Sequence, residues 1–324
     1  MKVYDLENLG TNKVSFYLAL EEYLLNSGLD EDIFFIWRID KSIISGRNQL
    51  LESEINLEYA KSIGCSIYRR PSGGGTVFAD EGCFMYSYIT KEKNRDNVYN
   101  ILLNHIYSCL NKLGLEIKFS GRNDLMYLDK KFSGTAFYQN EHGSILHGTF
   151  LYDTNFDDLV KCLTPNDLKL ISKGINSVKE RVINLKNFLK ISKKEVIFAL
   201  ESEFLGSKIK IGEDELKIIK QLEIKYLEKS WIFDKKPPYT YINKDRFACG
   251  EVEVLININH NKIKNISFLG DFFSVREIKK LEDMFINQIY DLKNIEYLLS
   301  KININEFIVN LKKEELIKLL FGGN

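Results

Sequence analysis

Charge of neither sign prevails in this chain: 45 lysines and arginines balance 45 aspartates and glutamates over 324 residues. Coating nucleic acid requires a basic surplus, so that class is set aside. No polybasic run is present, which removes the membrane-surface class as well. No apolar run approaches the ~18 residues of a spanning helix. Met1-Lys2-Val3-Tyr4-Asp5 opens the chain without the apolar core of a signal peptide. Cysteine is sparse: Cys65, Cys83, Cys109, Cys162 and Cys249 include no Cys-x-x-Cys pair. Such a scatter reads as reduced, mostly buried thiols in a cytoplasmic protein. The four histidines are equally dispersed, which argues against a zinc site. Proline occurs four times, and two of these are adjacent, at Pro237-Pro238.

What the chain does have is apolar and aromatic content, 44% and 12%, enough for a substantial core. Its length suits a large domain with a small one. Helical spacing at Phe16, Leu20, Tyr23 and Leu24 ends at Gly28. Apolar runs at 33–37 and 42–45 read as buried strands. A helix is expected over 52–62 and an amphipathic one over 98–113. Strands are expected at 83–90, 115–119, 124–128, 132–138 and 144–152. Helices follow at 155–163, 193–204 and 213–227. Short strands with interspersed helices, without strict βαβ alternation, imply an α+β domain with a largely antiparallel sheet. Lys235-Lys236-Pro237-Pro238 is the clearest linker. Beyond it, Glu251–Ile258 alternates, turns at Asn259-His260-Asn261, and returns through Lys262–Phe268 before three or four helices. The expected division is 1–240 and 241–324.

The most informative stretch is Tyr68-Arg69-Arg70-Pro71-Ser72-Gly73-Gly74-Gly75-Thr76-Val77-Phe78. Glycines let backbone approach a ligand and present N–H groups to an anion. Arginines beside them pair with phosphate or carboxylate. A plain flexible hairpin is the bland alternative for three glycines. The run matches neither the P-loop nor the dinucleotide fingerprint.

Four further segments carry polar chemistry. Gly121-Arg122-Asn123-Asp124 is a turn that delivers Asp124 to a strand start, where it suits Mg²⁺ bridging phosphates. Lys130-Lys131-Phe132-Ser133-Gly134-Thr135-Ala136 joins cations to a strand of small residues, with strict alternation placing Lys131 and Ser133 on one face. Solvated hairpin lysines are the alternative. His147 stands mid-strand in Leu146-His147-Gly148-Thr149, either as a satisfied core histidine or as a ligand contact. Lys173-Gly174-Ile175-Asn176-Ser177-Val178 reads as a loop with another cation, or a surface turn.

In this order the segments resemble the lipoate–protein ligase A family of the biotin/lipoate ligase superfamily. The ordered set also includes Gly46-Arg47-Asn48-Gln49, Leu20-Glu21-Glu22, Arg181-Val182-Ile183-Asn184-Leu185 and Gly270-Asp271-Phe272-Phe273. Each motif alone is weak; together they span nearly the whole chain. The resemblance implies an α+β, mixed or antiparallel-sheet catalytic domain of biotin/lipoyl-ligase type, with a small α+β accessory domain. It implies activation of lipoate by ATP to lipoyl-AMP with release of pyrophosphate, then transfer to a lysine of a lipoyl domain. Acceptors of that kind are 2-oxoacid dehydrogenase complexes and the glycine-cleavage H protein, and octanoate is a second candidate acid. ATP and Mg²⁺ would be needed, with no tightly bound prosthetic group, no nucleic acid and no membrane.

By the same resemblance, Lys131 is catalytic and touches both substrates. Arg70, Gly75, Thr76, Val77 and Phe78 bind the nucleotide. Gly73, Gly74, Ser133, Gly134, Ala136 and His147 line the lipoate groove, and Asp124 carries the metal. Two positions depart from the family pattern: Ala79 precedes Asp80 where histidine is frequent, and Cys83 follows Gly82 where asparagine is frequent. Three rival readings are an acyl transferase on the same fold with a cysteine nucleophile, Cys162 foremost; a biotin ligase; and a non-catalytic relative.

Overall fold

The structure is a computed structural model and describes residues 1–120, 123–163, 180–204, 206–233 and 239–322. Gly121, Arg122, Lys173–Val178 and Lys235–Pro238 lie outside the described residues. The described strands are β1 (Lys2–Tyr4), β2 (Ile33–Trp37), β3 (Ser42–Ser45), β4 (Ser66–Arg69), β5 (Val77–Ala79), β6 (Cys83–Thr90), β7 (Lys118–Phe119), β8 (Asp124–Tyr127), β9 (Lys130–Gln139), β10 (Ser144–Leu151), β11 (Ser207–Ile209), β12 (Tyr241–Phe247), β13 (Gly250–Asn259) and β14 (Lys262–Gly270). The helices are α1 (Val14–Asn26), α2 (Leu51–Glu54), α3 (Leu57–Ser62), α4 (Arg95–Lys112), α5 (Phe156–Leu163), α6 (Lys193–Glu203), α7 (Glu213–Leu227), α8 (Lys229–Ile232), α9 (Ile278–Phe285), α10 (Leu292–Ser300) and α11 (Lys313–Phe321). Among the described residues no helix is long and apolar enough to cross a membrane.

The chain divides into two compact units. The larger holds residues 1–45, 52–70 and 76–232; the smaller holds 233–324 together with 46–51 and 71–75. In the larger unit one sheet runs β11-β1-β2-β6-β10-β9-β8-β7. Its β11–β1–β2 edge is parallel and the rest antiparallel. A second sheet, β4-β3-β5, is mixed.

β2, β3 and β6 are buried along their whole length and on both faces, so apolar residues dominate them, with Ser42, Ser45, Ser87 and Thr90 as buried polar exceptions. On one face, Phe34, Tyr86, Leu146 and Phe150 form a core with α4 and α6. On the other, Phe35, Trp37, Met85 and Ile145 form a core with α1 and α7. Asn94 starts α4 by accepting the Asn97 N–H, and a Ser192–Glu195 capping box starts α6. The smaller unit packs the antiparallel β12-β13-β14 sheet against α9, α10 and α11 around Val254, Phe268, Leu281, Phe285 and Leu299.

Two expectations change. The single helix over 52–62 is two short ones, because Asn56 accepts the Tyr59 N–H and begins α3 afresh. Sequence reading also omits β1, β11 and β12. The first two are three residues long, too short for a period to register. The third, Tyr-Ile-Asn-Lys-Asp-Arg-Phe, is an edge strand with alternate residues exposed, so its composition is polar.

Candidate functional site

The sheet face toward α1 carries a cluster of buried polar side chains. Glu21, fully buried on α1, accepts from His147 Nδ1 at 2.9 Å and 3.1 Å through its two oxygens. Ser87 Oγ donates to the same carboxylate at 2.6 Å, and Trp37 Nε1 donates to Ser87 Oγ at 2.7 Å. A carboxylate acceptor requires a proton on Nδ1 of His147, which fixes the ring's orientation. Burying a carboxylate is costly unless its oxygens are satisfied. His147 and Ser87 together meet that demand, and Trp37 holds Ser87 in place. The Leu-His-Gly-Thr motif of β10 thereby gains three separate reasons. His147 bonds Glu21. Gly148 leaves room for Tyr86, whose hydroxyl lies 2.4 Å from where a Cβ would stand. Thr149 Oγ1 accepts the Gly134 N–H at 3.2 Å.

Lys131 and Asp124 meet on this same face. β8 and β9 pair Asp124 with Gly134 and Leu125 with Ser133, but Met126 with Lys131. Phe132 is therefore the extra residue of a bulge, and alternation is reset there. The Lys131 ammonium folds back over Gly134, where a Cβ would come 2.7 Å from Nζ and 2.8 Å from Cε. Nζ lies 2.7 Å from Asp124 Oδ1, both side chains being about one-third exposed. Oδ1 meets the ammonium outside hydrogen-bonding geometry.

The bulge overturns the expectation that Lys131 and Ser133 share a face. Ser133 Oγ points into the opposite core, 3.0 Å from Tyr86 Oη. Only its backbone remains on the Lys131 side. Ala136 pairs with His147 across β9 and β10. The Arg-Val-Ile-Asn-Leu motif runs beside Lys131: Val182 bridges Lys131, and Ile183 N donates to Lys131 O at 2.9 Å. Asn184 then locks the chain to Thr154 through two hydrogen bonds.

Both arginines are buried in the larger unit. Arg69 donates from Nε to Ile232 O at 2.9 Å, so it anchors local structure. Arg70 donates from Nη1 to Ile44 O at 3.0 Å. Burial, with the neighbouring Arg69 charge, lowers the Arg70 pKa to about 10, while the Glu21 carboxylate opposes that shift. It stays charged at neutral pH, as a partly desolvated cation. Thr76 Oγ1 donates to Ser45 Oγ at 3.3 Å, and Val77 and the buried Phe78 pair with β3.

The glycine loop belongs to the smaller unit, where a carbonyl shapes it. Gly74 has φ +87° and donates its N–H to Phe272 O at 3.1 Å. A Cβ on Gly73 would come 2.4 Å from that oxygen, whereas Gly75 has open space around it. Arg47 N donates to Ser72 O, and Gly270 N to Asn48 O. Gly74 thus has its N–H directed to protein.

Both departures from the family pattern are buried: Ala79 pairs with Ser42 across β5 and β3, and Cys83 opens β6. Asp80 is buried and accepts from Gly82 N and Asn155 N, closing the β5–β6 turn. Burial raises its carboxyl above the ordinary range. Cys83 is buried, its thiol pushed up to about 12 by burial. Glu21, Ser87, Trp37 and Tyr86 receive no role from sequence. The available signal is an acidic residue at core spacing in the apolar Tyr17–Leu25 helix.

The family described as "Lipoyl protein ligase A/B catalytic domain" matches residues 13–205, and "Bacterial lipoate protein ligase C-terminus" matches 236–320. The chain is 33% identical to the probable lipoate-protein ligase A of Mycoplasma pneumoniae, covering 100% of this chain and 99% of that protein. The structure of P. falciparum LipL1 in complex with lipoate superposes with a TM-score of 0.78 at 26% identity, covering 94% of each chain. A bi-partite lipoate protein ligase from Thermoplasma acidophilum, described with its E2 lipoyl domain, gives a TM-score of 0.65 at 25% identity over 74% of this chain and 98% of that one.

Proposed function

The chain belongs to the lipoate–protein ligase A family, and we propose that it activates lipoate with ATP to lipoyl-AMP and transfers the lipoyl group to a lysine of an acceptor lipoyl domain. The observation that carries this reading is the Lys131–Asp124 pair folded over Gly134 on the sheet face of the buried Glu21–His147 cluster. Activation brings a carboxylate against a triphosphate, so two anions must be held together. Preorganised cations do this electrostatically, without a covalent enzyme intermediate.

We assign Lys131 to the lipoate carboxylate and the α-phosphate. Its ammonium draws charge from the attacking and transferred oxygens while the anhydride forms. Arg70, already desolvated, gains from an anionic partner and is assigned to the nucleotide with Gly75, Thr76, Val77 and Phe78. Gly73, Gly74, Gly134, Ala136, His147 and the Ser133 backbone are assigned to the acyl substrate.

Among the described residues no three acidic, histidine or cysteine side chains cluster as a metal cage. A single carboxylate completed by substrate phosphates is nonetheless a common Mg²⁺ arrangement, and Asp124 fits it. The metal would supply charge neutralisation at those phosphates. Residues 1–240 would carry the chemistry and 241–324 the accessory part. Lipoyl domains of 2-oxoacid dehydrogenases and the glycine-cleavage H protein are the candidate acceptors, and octanoate the alternative acid.

The test is pyrophosphate release with lipoate, octanoate or biotin as the acid, followed by mass spectrometry of candidate acceptor domains. Lys131→Ala is expected to fold normally and to lose lipoate-dependent release. Release near the wild-type rate would show the Lys131 assignment to be wrong.

A further inference from the structure

Within Ser133-Gly134-Thr135-Ala136, Thr135 alone has no task in the site described above. Its side chain is buried and turns toward α4, where Tyr99 Oη lies 3.1 Å from Thr135 Oγ1. Thr135 Oγ1 donates to Asn123 O at 2.8 Å, and Thr135 N donates to the same oxygen at 2.7 Å. With its one proton directed to Asn123 O, the threonine hydroxyl accepts from Tyr99 Oη. Burial raises the Tyr99 hydroxyl above its ordinary value, and the Arg95 guanidinium, 4.6 Å over the ring, opposes that shift. The phenol therefore keeps the proton that it donates.

Asn123 immediately precedes Asp124, so its carbonyl belongs to the peptide from which the Asp124 side chain hangs. Two hydrogen bonds occupy both lone pairs of that oxygen and fix the peptide plane. Ser120 holds Asp124 from its other side, accepting from Asp124 N through Oγ at 3.2 Å and donating from N to Asp124 O at 2.9 Å. We propose that Thr135 and Tyr99 are positioning residues for adenylate formation, acting through the Asn123–Asp124 peptide to hold the Asp124 carboxylate beside Lys131 Nζ. What the Asp124–Lys131 pair does is taken from the ligase reading; which residues hold it is set by the hydrogen bonds.

Asp124 and Lys131 are each about one-third exposed, so packing alone does not fix either side chain. A carboxylate on the first residue of a strand keeps its place only as well as its backbone does. The chain of hydrogen bonds from Tyr99 through Thr135 supplies that hold from the buried core, where water does not compete for the same groups. Tyr99 adds no atom to the site. Loss of its hydroxyl leaves the Thr135 oxygen one bond short and lets the threonine turn away from Asn123 O.

The test compares Tyr99→Phe, Thr135→Val, the double variant and Thr135→Ser in the full chain. Lipoate-dependent pyrophosphate release is read over a range of lipoate concentrations, alongside thermal midpoints. Tyr99→Phe and Thr135→Val should each lower kcat by about tenfold with the lipoate KM unchanged. The double variant should be no slower than Thr135→Val, because Tyr99 acts only through Thr135. Thr135→Ser keeps the donor and should recover most of the rate. Exchange of amide hydrogens in the peptide spanning Thr135, read without substrates by mass spectrometry, should quicken in Tyr99→Phe. A wild-type rate in folded Tyr99→Phe, or unchanged exchange there, would overturn the proposal. So would a raised lipoate KM with kcat intact, or losses that multiply in the double variant, since both mark a general loosening of β9. Wild type that releases no pyrophosphate with lipoate would instead refute the ligase reading, and the exchange comparison would still decide what holds Asp124.

Discussion

Gly134→Ala separates the fold from the chemistry with one methyl group. The added Cβ would stand 2.7 Å from Lys131 Nζ and 2.8 Å from Cε, well inside the 3.4 Å at which ordinary contact begins. The backbone at Gly134 is not in the left-handed region, so alanine fits it without strain. The atoms that must yield are the far end of a flexible lysine, not a packed core. Alanine in a strand is favoured over glycine by roughly 0.5–1 kcal/mol, which offsets the crowding. Thermal midpoint should therefore stay near wild type. The ammonium, however, is driven off the 2.7 Å approach to Asp124. Misplacing a catalytic group by about 1 Å costs on the order of 10²-fold in rate. Lipoate-dependent pyrophosphate release should fall by about that factor, while circular dichroism and melting remain unchanged. A folded Gly134→Ala variant that adenylates at the wild-type rate would refute the placement of Lys131 over Gly134 as the working geometry.

Two other substitutions test different parts of the structure. Gly73→Ala meets the Phe272 carbonyl at 2.4 Å, a backbone atom that cannot swing aside. A loss of about 1–3 kcal/mol is expected in denaturant unfolding, and an unchanged midpoint would argue against that close approach. Asp80 tests pH linkage. Its folded pKa is raised by burial, so its stabilising contribution is complete below the unfolded value and is lost as pH rises through the folded one. Asp80→Asn does not titrate. The stability of wild type relative to this variant should fall as pH is raised across that range, measured by urea unfolding at several pH values. A relative gain for wild type would contradict the burial argument.

Much of this was legible in the chain, for identifiable reasons. Strand β2 is an unbroken apolar run, and β3 and β6 are short, mostly apolar stretches, all buried along their length, so composition marks where they lie. The ordered motifs also prove to be contiguous pieces of backbone with separate tasks, as Gly148 and Asn184 illustrate. The bulge at Phe132 was not legible, because alternation is a property of one strand and a register shift belongs to two. Alternation alone therefore puts Ser133 on the face opposite to the one it occupies. The motif Leu20-Glu21-Glu22 by itself gives Glu21 no role. A carboxylate on an apolar helix face explains itself only through partners 66 and 126 residues away, Ser87 and His147.

The Phe272 carbonyl beneath the glycine loop has a consequence for how this chain can be divided. Residues 46–51 and 71–75 precede the C-terminal segment by well over a hundred positions, yet they are folded with it. A cut near residue 236, where the second family match begins, would part the loop from the carbonyl that receives Gly74. Replacing the C-terminal segment with that of a relative would keep one side of this contact native and make the other foreign. Chimeras designed on sequence boundaries would therefore perturb a glycine segment that lies entirely outside the exchanged residues.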